Sequence, residues 1–308
     1  MSLRSVLDCI KEEIKKTAKD SYKRRHVVDF LGRIQFKDIS SLLPNEYFML
    51  HFEPLYVFMK IIEKNHFIDM KNNGYEKLYH LLNRLFEEHE AGKQRLYFSD
   101  FVGVMTSNST ELISFSEFKE KQFERNMNQL DFGYKDYSSL KYAVFNPEIP
   151  GSNTYLKDAV KLNWRDSIYV SNYDRSHRFA LLCKWNEIEN RQDYEWFNVK
   201  EFSINDEIKK QFLENYVGFL VHSKTLLDIL TEFGNILKFC HSFNSFDGKD
   251  EIVYLIFRKD EINSIILNMF LKKENCICIN SLMENVVFEN VKNTRKNVIF
   301  TSKITGKM

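Results

Sequence analysis

The chain has 308 residues, 44% hydrophobic and 28% charged, with 44 Lys and Arg against 43 Asp and Glu. That balance fits a globular protein of one large or two modest domains and excludes collagen, coiled-coil rods and wholly disordered chains. A formal charge of +1 excludes a globally basic nucleic-acid coat, and only 10 Gly and 4 Pro disfavour Gly-rich barrels and multi-bladed propellers.

Val6, Ile10 and Ile14 recur at helical spacing, but Arg4, Asp8, Lys11, Glu12 and Glu13 break any signal-peptide core. The segment then turns basic at Lys15, Lys16, Lys19, Lys23, Arg24 and Arg25, with Tyr22 inside the run. Glu12, Glu13 and Asp20 dilute it, so a solvated helix face is expected ahead of a phosphate-backbone surface. Leu55, Phe58, Met59 and Ile62 predict an amphipathic helix ending near Asn72-Asn73-Gly74. A second helix is expected from about Tyr75 to Ala91, with Leu78, Leu81, Leu82, Leu85 and Phe86 on its apolar face and Gly92 as its stop. A third is expected over residues 116–130. Pro147, Pro150 and Gly151 punctuate the chain, dividing a mainly helical N-terminal domain, 1–145, from a domain spanning 146–308.

Beyond that boundary the pattern alternates. Ser167–Ser171 reads as a buried strand, Arg178–Ile188 as a helix and Glu195–Val199 as another strand. Helices are expected over 206–218 and 223–239, a strand over Glu251–Phe257 and a helix over Ile262–Lys272. Cys276–Ile279 and Val286–Phe288 read as strands, followed by a basic tail from Asn290. The fold class expected is α+β or α/β, with a helical N-terminal region, a small central α/β core and a C-terminal α+β extension. Trp164, Trp185 and Trp196 all fall in the central segment, which predicts one shared core there.

Apolar runs such as Ile265–Leu271 stop far short of the ~20 residues that a bilayer demands. Five cysteines without regular spacing make no disulfide framework. A cytoplasmic protein without a membrane partner is therefore expected, and Cys276-x-Cys278 reads as two small buried thiols. No H-E-x-x-H, Walker A, G-x-S-x-G or G-x-G-x-x-G is present. Glu63-x-x-His66 lacks the second copy and further carboxylates of a di-iron bundle. Glu76 and His80, then Glu87 to Glu90, read as a polar helix face.

The stretch that carries chemistry is Ser167-Ile-Tyr-Val-Ser-Asn-Tyr-Asp174-Arg175-Ser176-His177-Arg178-Phe179-Ala180. A strand runs into a polar turn, and a helix starts there with Asp174 or Ser176 as N-cap. The helix N-terminus presents unpaired N–H groups and a positive dipole end, and Arg175, His177 and Arg178 add donors suited to phosphate. Glu148, Asp158 and Asp166 are the nearby carboxylates for a general base or metal, with Lys157, Lys161 and Arg165 as further phosphate contacts.

The pattern strand–Asp–x–Ser–His–Arg–x–Ala resembles the nucleotide-binding turn of the ParB/sulfiredoxin superfamily, over roughly residues 165–202. The resemblance implies a ParB/sulfiredoxin-like core that binds ATP or CTP. It implies a hydrolase or phosphotransferase in which Arg175, Ser176, His177 and Arg178 hold the phosphates. Asp174 and His177 would be the catalytic pair, and Mg²⁺ the accompanying ion. Ser176 stands where sulfiredoxins keep a catalytic cysteine, which excludes sulfinic-acid repair. Arg175 stands where relatives have glycine, and its side chain would either add a cation or block the site. Two alternatives stay open, a nucleic-acid-binding or ParB-like nuclease activity and a non-catalytic interaction module.

Overall fold

The computed structural model describes residues 22, 25–37, 53–63, 75–105, 114–128, 133–146, 157–171, 175–233, 240–246, 249–262, 264–273 and 275–284. Helices packed on two sheets make an α+β fold. The first sheet holds five strands, β1 (Phe86–Tyr97), β2 (Phe101–Val104), β3 (Asp158–Leu162), β4 (Ser167–Val170) and β5 (Tyr194–Ile204), in the order β1-β5-β3-β4-β2. β3 and β4 form an antiparallel hairpin. β3 also runs parallel to β5, β2 parallel to β4, and β1 antiparallel to β5. Asp166 closes the hairpin turn at φ 48°, a left-handed conformation that aspartate tolerates.

Period-two alternation divides the side chains of this sheet. Ala159, Val170, Phe197 and Val199 pack on one face against α4 (Phe115–Met127), α5 (Tyr137–Phe145) and α6 (Ser176–Ile188). Val160, Leu162, Tyr169 and Phe202 go to the opposite face. There they meet α2 (Pro54–Glu63), α3 (Glu76–Leu82), α7 (Asp206–Asn215) and the second sheet.

The helix ends follow from local sequence. Ser114 Oγ accepts from Glu117 N while Glu117 Oε2 accepts from Ser114 N, a capping box that starts α4. Asp136 accepts from Ser139 N at the head of α5, and Asn205 from Ile208 N at the head of α7. Past α6, Asn190 takes φ 49°; Asn190 N donates to Glu187 O and Arg191 N to Asn186 O, the paired bonds of a Schellman motif. Before α2, Glu53 accepts from Tyr56 N, and Pro54 takes the first helical position, where a missing N–H costs nothing.

The second sheet is antiparallel throughout, in the order β7-β8-β6-β9, and comprises β6 (Tyr216–His222), β7 (Cys240–Phe246), β8 (Lys249–Arg258) and β9 (Ile277–Cys278). Tyr216 and Leu220 of β6 join the core shared with the first sheet. Val217, Phe219 and Val221 face a further core made with α1 (residues 25–33), α8 (Ser223–Phe233) and α9 (Ser264–Lys272). Gly218 of β6 lets α10 (Ile279–Met283) approach closely: an added Cβ would lie 2.8 Å from Ile279 Cδ1. Beside it Asn280 accepts from Gly218 N at 2.9 Å and donates to Tyr216 O at 3.0 Å.

Several expectations need correction. The helix expected from Tyr75 to Ala91 ends at Leu82, and β1 begins at Phe86. On a helix Glu87, Glu88 and Glu90 would crowd one another, whereas in β1 the Lys200 ammonium on β5 reaches both Glu88 and Glu90. Gly92 does not stop a helix but sits at φ 72° in a bulge of β1. The helix expected over 206–218 stops at Asn215 and gives way to β6. The division at 145/146 runs through a single sheet, because β1 and β2 precede it and β3 to β5 follow. Nor do the tryptophans share a core. Trp164 is buried on the α2 side, Trp185 packs beside α4, and Trp196 is 51% exposed. The basic run before Arg25, the end of the first expected helix, His66, Glu148, the strand at Val286–Phe288 and the tail lie outside the described residues, apart from Tyr22.

Candidate functional site

Strand β4 ends at Val170, and α6 begins at Ser176. The N-cap of α6 is Arg175, at φ −110° and ψ 16°, with no side-chain capping bond. Ser176, expected as a possible cap, is instead the first helical residue and is buried. Asp174 lies outside the described residues.

Arg175 departs furthest from expectation. It is 2% exposed, and its guanidinium donates to Val144 O at 2.5 Å and to Asn146 O at 3.2 Å. These carbonyls close α5, where helical geometry leaves acceptors without internal partners and the dipole is negative. The side chain ties the start of α6 to the end of α5. Burial, and next the charge of Arg178, lowers its proton affinity, while Tyr134 opposes the shift. Arg178 and His177 are half-buried, and the His177 ring stands edge-on to Phe118 of α4 at 5.3 Å. Arg175 and Arg178 are thus two cations within Coulombic reach of each other at the amino end of α6.

The other candidates are not brought together there. Arg165 and Asp166 occupy the β3–β4 turn, at the end of the hairpin away from α6, and Arg165 lies 4.0 Å from Glu53. Lys157 pairs with Glu195 at 3.8 Å and Lys161 with Glu201 at 3.6 Å. Asp158 is at the correct end, since its carbonyl accepts from Ser171 N. Strand alternation nevertheless sends its carboxylate to the sheet face opposite α6, where it accepts from Asn198 Nδ2 at 2.9 Å. Among the described residues no group of three or more His, Cys, Asp or Glu side chains converges as metal ligands. Among the same residues no helix is long and apolar enough to cross a membrane.

A cleft of about 1050 Å³, which the sequence did not reveal, opens between α3, α7 and the end of β8. Lys77, His80 and Arg84 line one wall, Gln211 and Glu214 another, and Lys259 the floor. Lys259 is committed to Leu213 O, and Arg258 to Asp260 and Glu261. The signal for it was the recurrence of Lys77, His80 and Arg84 at helical spacing, but the opposing wall lies some 130 positions further along the chain.

No family model matches the chain, and no characterised protein or solved structure does.

Proposed function

We propose that the chain is a nucleotide-binding protein, an ATP- or CTP-dependent hydrolase or phosphotransferase, that seats its ligand's phosphates on the amino end of α6. The observation that carries this reading is that α6 opens without a side-chain capping bond and places His177 and Arg178, both half-buried, in its first turn. The helix dipole and these donors together favour an anion there. The order β4, turn, α6, β5 is also the one that the ParB/sulfiredoxin resemblance implies.

In this reading Arg178 and His177 reach the phosphates together with the first N–H groups of α6. Arg175 is a positioning residue that fixes the helix end and contributes its field. Asp174 remains the carboxylate assigned to the turn, and Mg²⁺ arriving with the nucleotide would neutralise charge on the phosphate oxygens. Catalysis would be electrostatic, through cations and N–H groups placed where phosphate charge is transferred.

The cleft supports a second reading. Its volume suits a ligand of nucleotide size, and Lys77, His80 and Arg84 converge on it. Calorimetric titration with ATP and CTP, with and without Mg²⁺, separates the two. Arg178→Ala is expected to weaken binding about tenfold or more at unchanged melting temperature, while Lys77→Glu/Arg84→Glu leaves it intact. The reverse result assigns the ligand to the cleft. Binding unaffected by either change, or no binding by the native chain, removes the nucleotide reading.

A further inference from the structure

Strand β1 lies at the edge of its sheet, so among the described residues one side of its backbone has no neighbouring strand. β1 is twelve residues long, and a long edge strand templates association unless charged side chains, proline or a covering element blunt it. Here the charges are segregated. Glu87, Glu88 and Glu90 occupy the first half, and Lys93 and Arg95 the second.

The bulge between Glu90 and Gly92 decides where these side chains point. Glu88 stands opposite Phe202, Glu90 opposite Lys200, Lys93 opposite Asn198, Arg95 opposite Trp196 and Tyr97 opposite Tyr194. All five partners are even-numbered positions of one strand, so all five β1 residues share one face. Without the extra residue, the acidic and basic halves would fall on opposite faces. Lys200 serves both Glu88 and Glu90, which leaves that half net acidic, whereas Arg95 contacts the Tyr97 hydroxyl and the Tyr194 ring, neither of them anionic.

We propose that β1 is a self-association edge that pairs antiparallel with β1 of a second copy, about a two-fold axis between Ala91 and Gly92. In that register Glu90 meets Lys93 of the copy, Glu88 meets its Arg95, and Phe86 meets its Tyr97. Symmetry repeats each pair. Antiparallel pairing puts directly opposed side chains on the same face, as these pairs require. The charge pattern also selects the occupant, because reading β1 backwards exchanges acid for base. A second copy of this chain is therefore the partner that matches it along its whole length.

Sedimentation velocity on the full chain tests the proposal at low and high salt across micromolar to millimolar concentrations. A dimer that weakens with salt is expected. Glu88→Lys/Glu90→Lys makes the shared face of β1 wholly basic, and Lys93→Glu/Arg95→Glu makes that face wholly acidic. Each variant alone is expected to dimerise about tenfold or more weakly, and an equimolar mixture of the two should recover a dimer. Recovery also shows that both variants fold. Amide hydrogen exchange on the native protein adds a readout that needs no substitution, since outward N–H groups of β1 should slow as concentration rises. A native chain that stays monomeric throughout, variants that dimerise like the native chain, or a mixture that stays monomeric overturns the proposal.

Discussion

Arg175 at the head of α6 donates through Nη1 to the Val144 carbonyl near the end of α5, bridging 31 positions of sequence. With the second bond to Asn146 O, one side chain satisfies two acceptors at a helix C-terminus. Arg175→Met keeps the bulk but leaves those carbonyls without this donor. It is expected to cost about 2–3 kcal/mol in urea unfolding. Arg175→Lys should restore only part, since an ammonium lacks the fork that reaches both oxygens.

Two carboxylates cap helices with opposite pH signatures. Burial raises the Glu53 pKa above its ordinary 4.5 despite Arg165 and the N–H groups of Tyr56 and Leu55. Its folded form holds a proton more tightly than the unfolded chain does. Its contribution is therefore complete below the unfolded pKa and is lost as pH rises through the folded value. Asp136 behaves in the opposite sense. The Ser139 N–H and hydroxyl lower its pKa, so its stabilisation is present above the ordinary 3.8 and is lost as pH falls through the folded value.

Glu53→Gln should accordingly flatten the decline of stability as pH rises above the ordinary carboxyl value, because the amide keeps an acceptor for Tyr56 N without a charge to bury. Glu53→Ala should lose about 1 kcal/mol of capping at the acid end, and the loss should shrink as pH rises and the native carboxyl has a charge to bury. Thermal melts from pH 4 to pH 8 distinguish the two outcomes.

Gly218→Ala drives a methyl against Ile279 at the junction of β6 and α10. It should destabilise the protein by about 1–3 kcal/mol. Asn280→Leu should cost about 2 kcal/mol or more, because it strands the Gly218 N–H and the Tyr216 carbonyl in a buried place. Chemical denaturation of each variant measures both.

Cys183 is buried among α4, α5 and α6, and burial pushes its thiol pKa up more strongly than nearby Lys119 pulls it down. In the folded protein at pH 8 it should resist iodoacetamide and become reactive only in denaturant. Mass spectrometry of the labelled peptides reads the difference.

What the sequence disclosed follows from how local each signal is. The helix expected over 116–130 is α4, Phe115–Met127, and the apolar runs at Ser167–Val170 and Glu251–Phe257 are strands as their texture implied. β6 escaped notice because both its faces are buried, so it shows no alternation and reads as an extension of α7. β1 was mistaken for helix because its leucines precede it at helical spacing, while its strand character comes from β5. At the candidate site the strand and the helix were legible, but the work of Arg175 was not: its acceptors are carbonyls 29 and 31 positions earlier, which carry no side-chain signature.

The link between β1 and β5 has a consequence for synthesis. Asn205, just past β5, donates to Glu87 in β1 across 118 positions. When β1 leaves the ribosome, the strand it will join has not yet been made. Translation must advance by more than a hundred residues before β1 gains its native neighbour, so the first sheet closes late, by the slow route of distant pairing. Until then the acidic and basic halves of β1 are what keep the nascent strand hydrated.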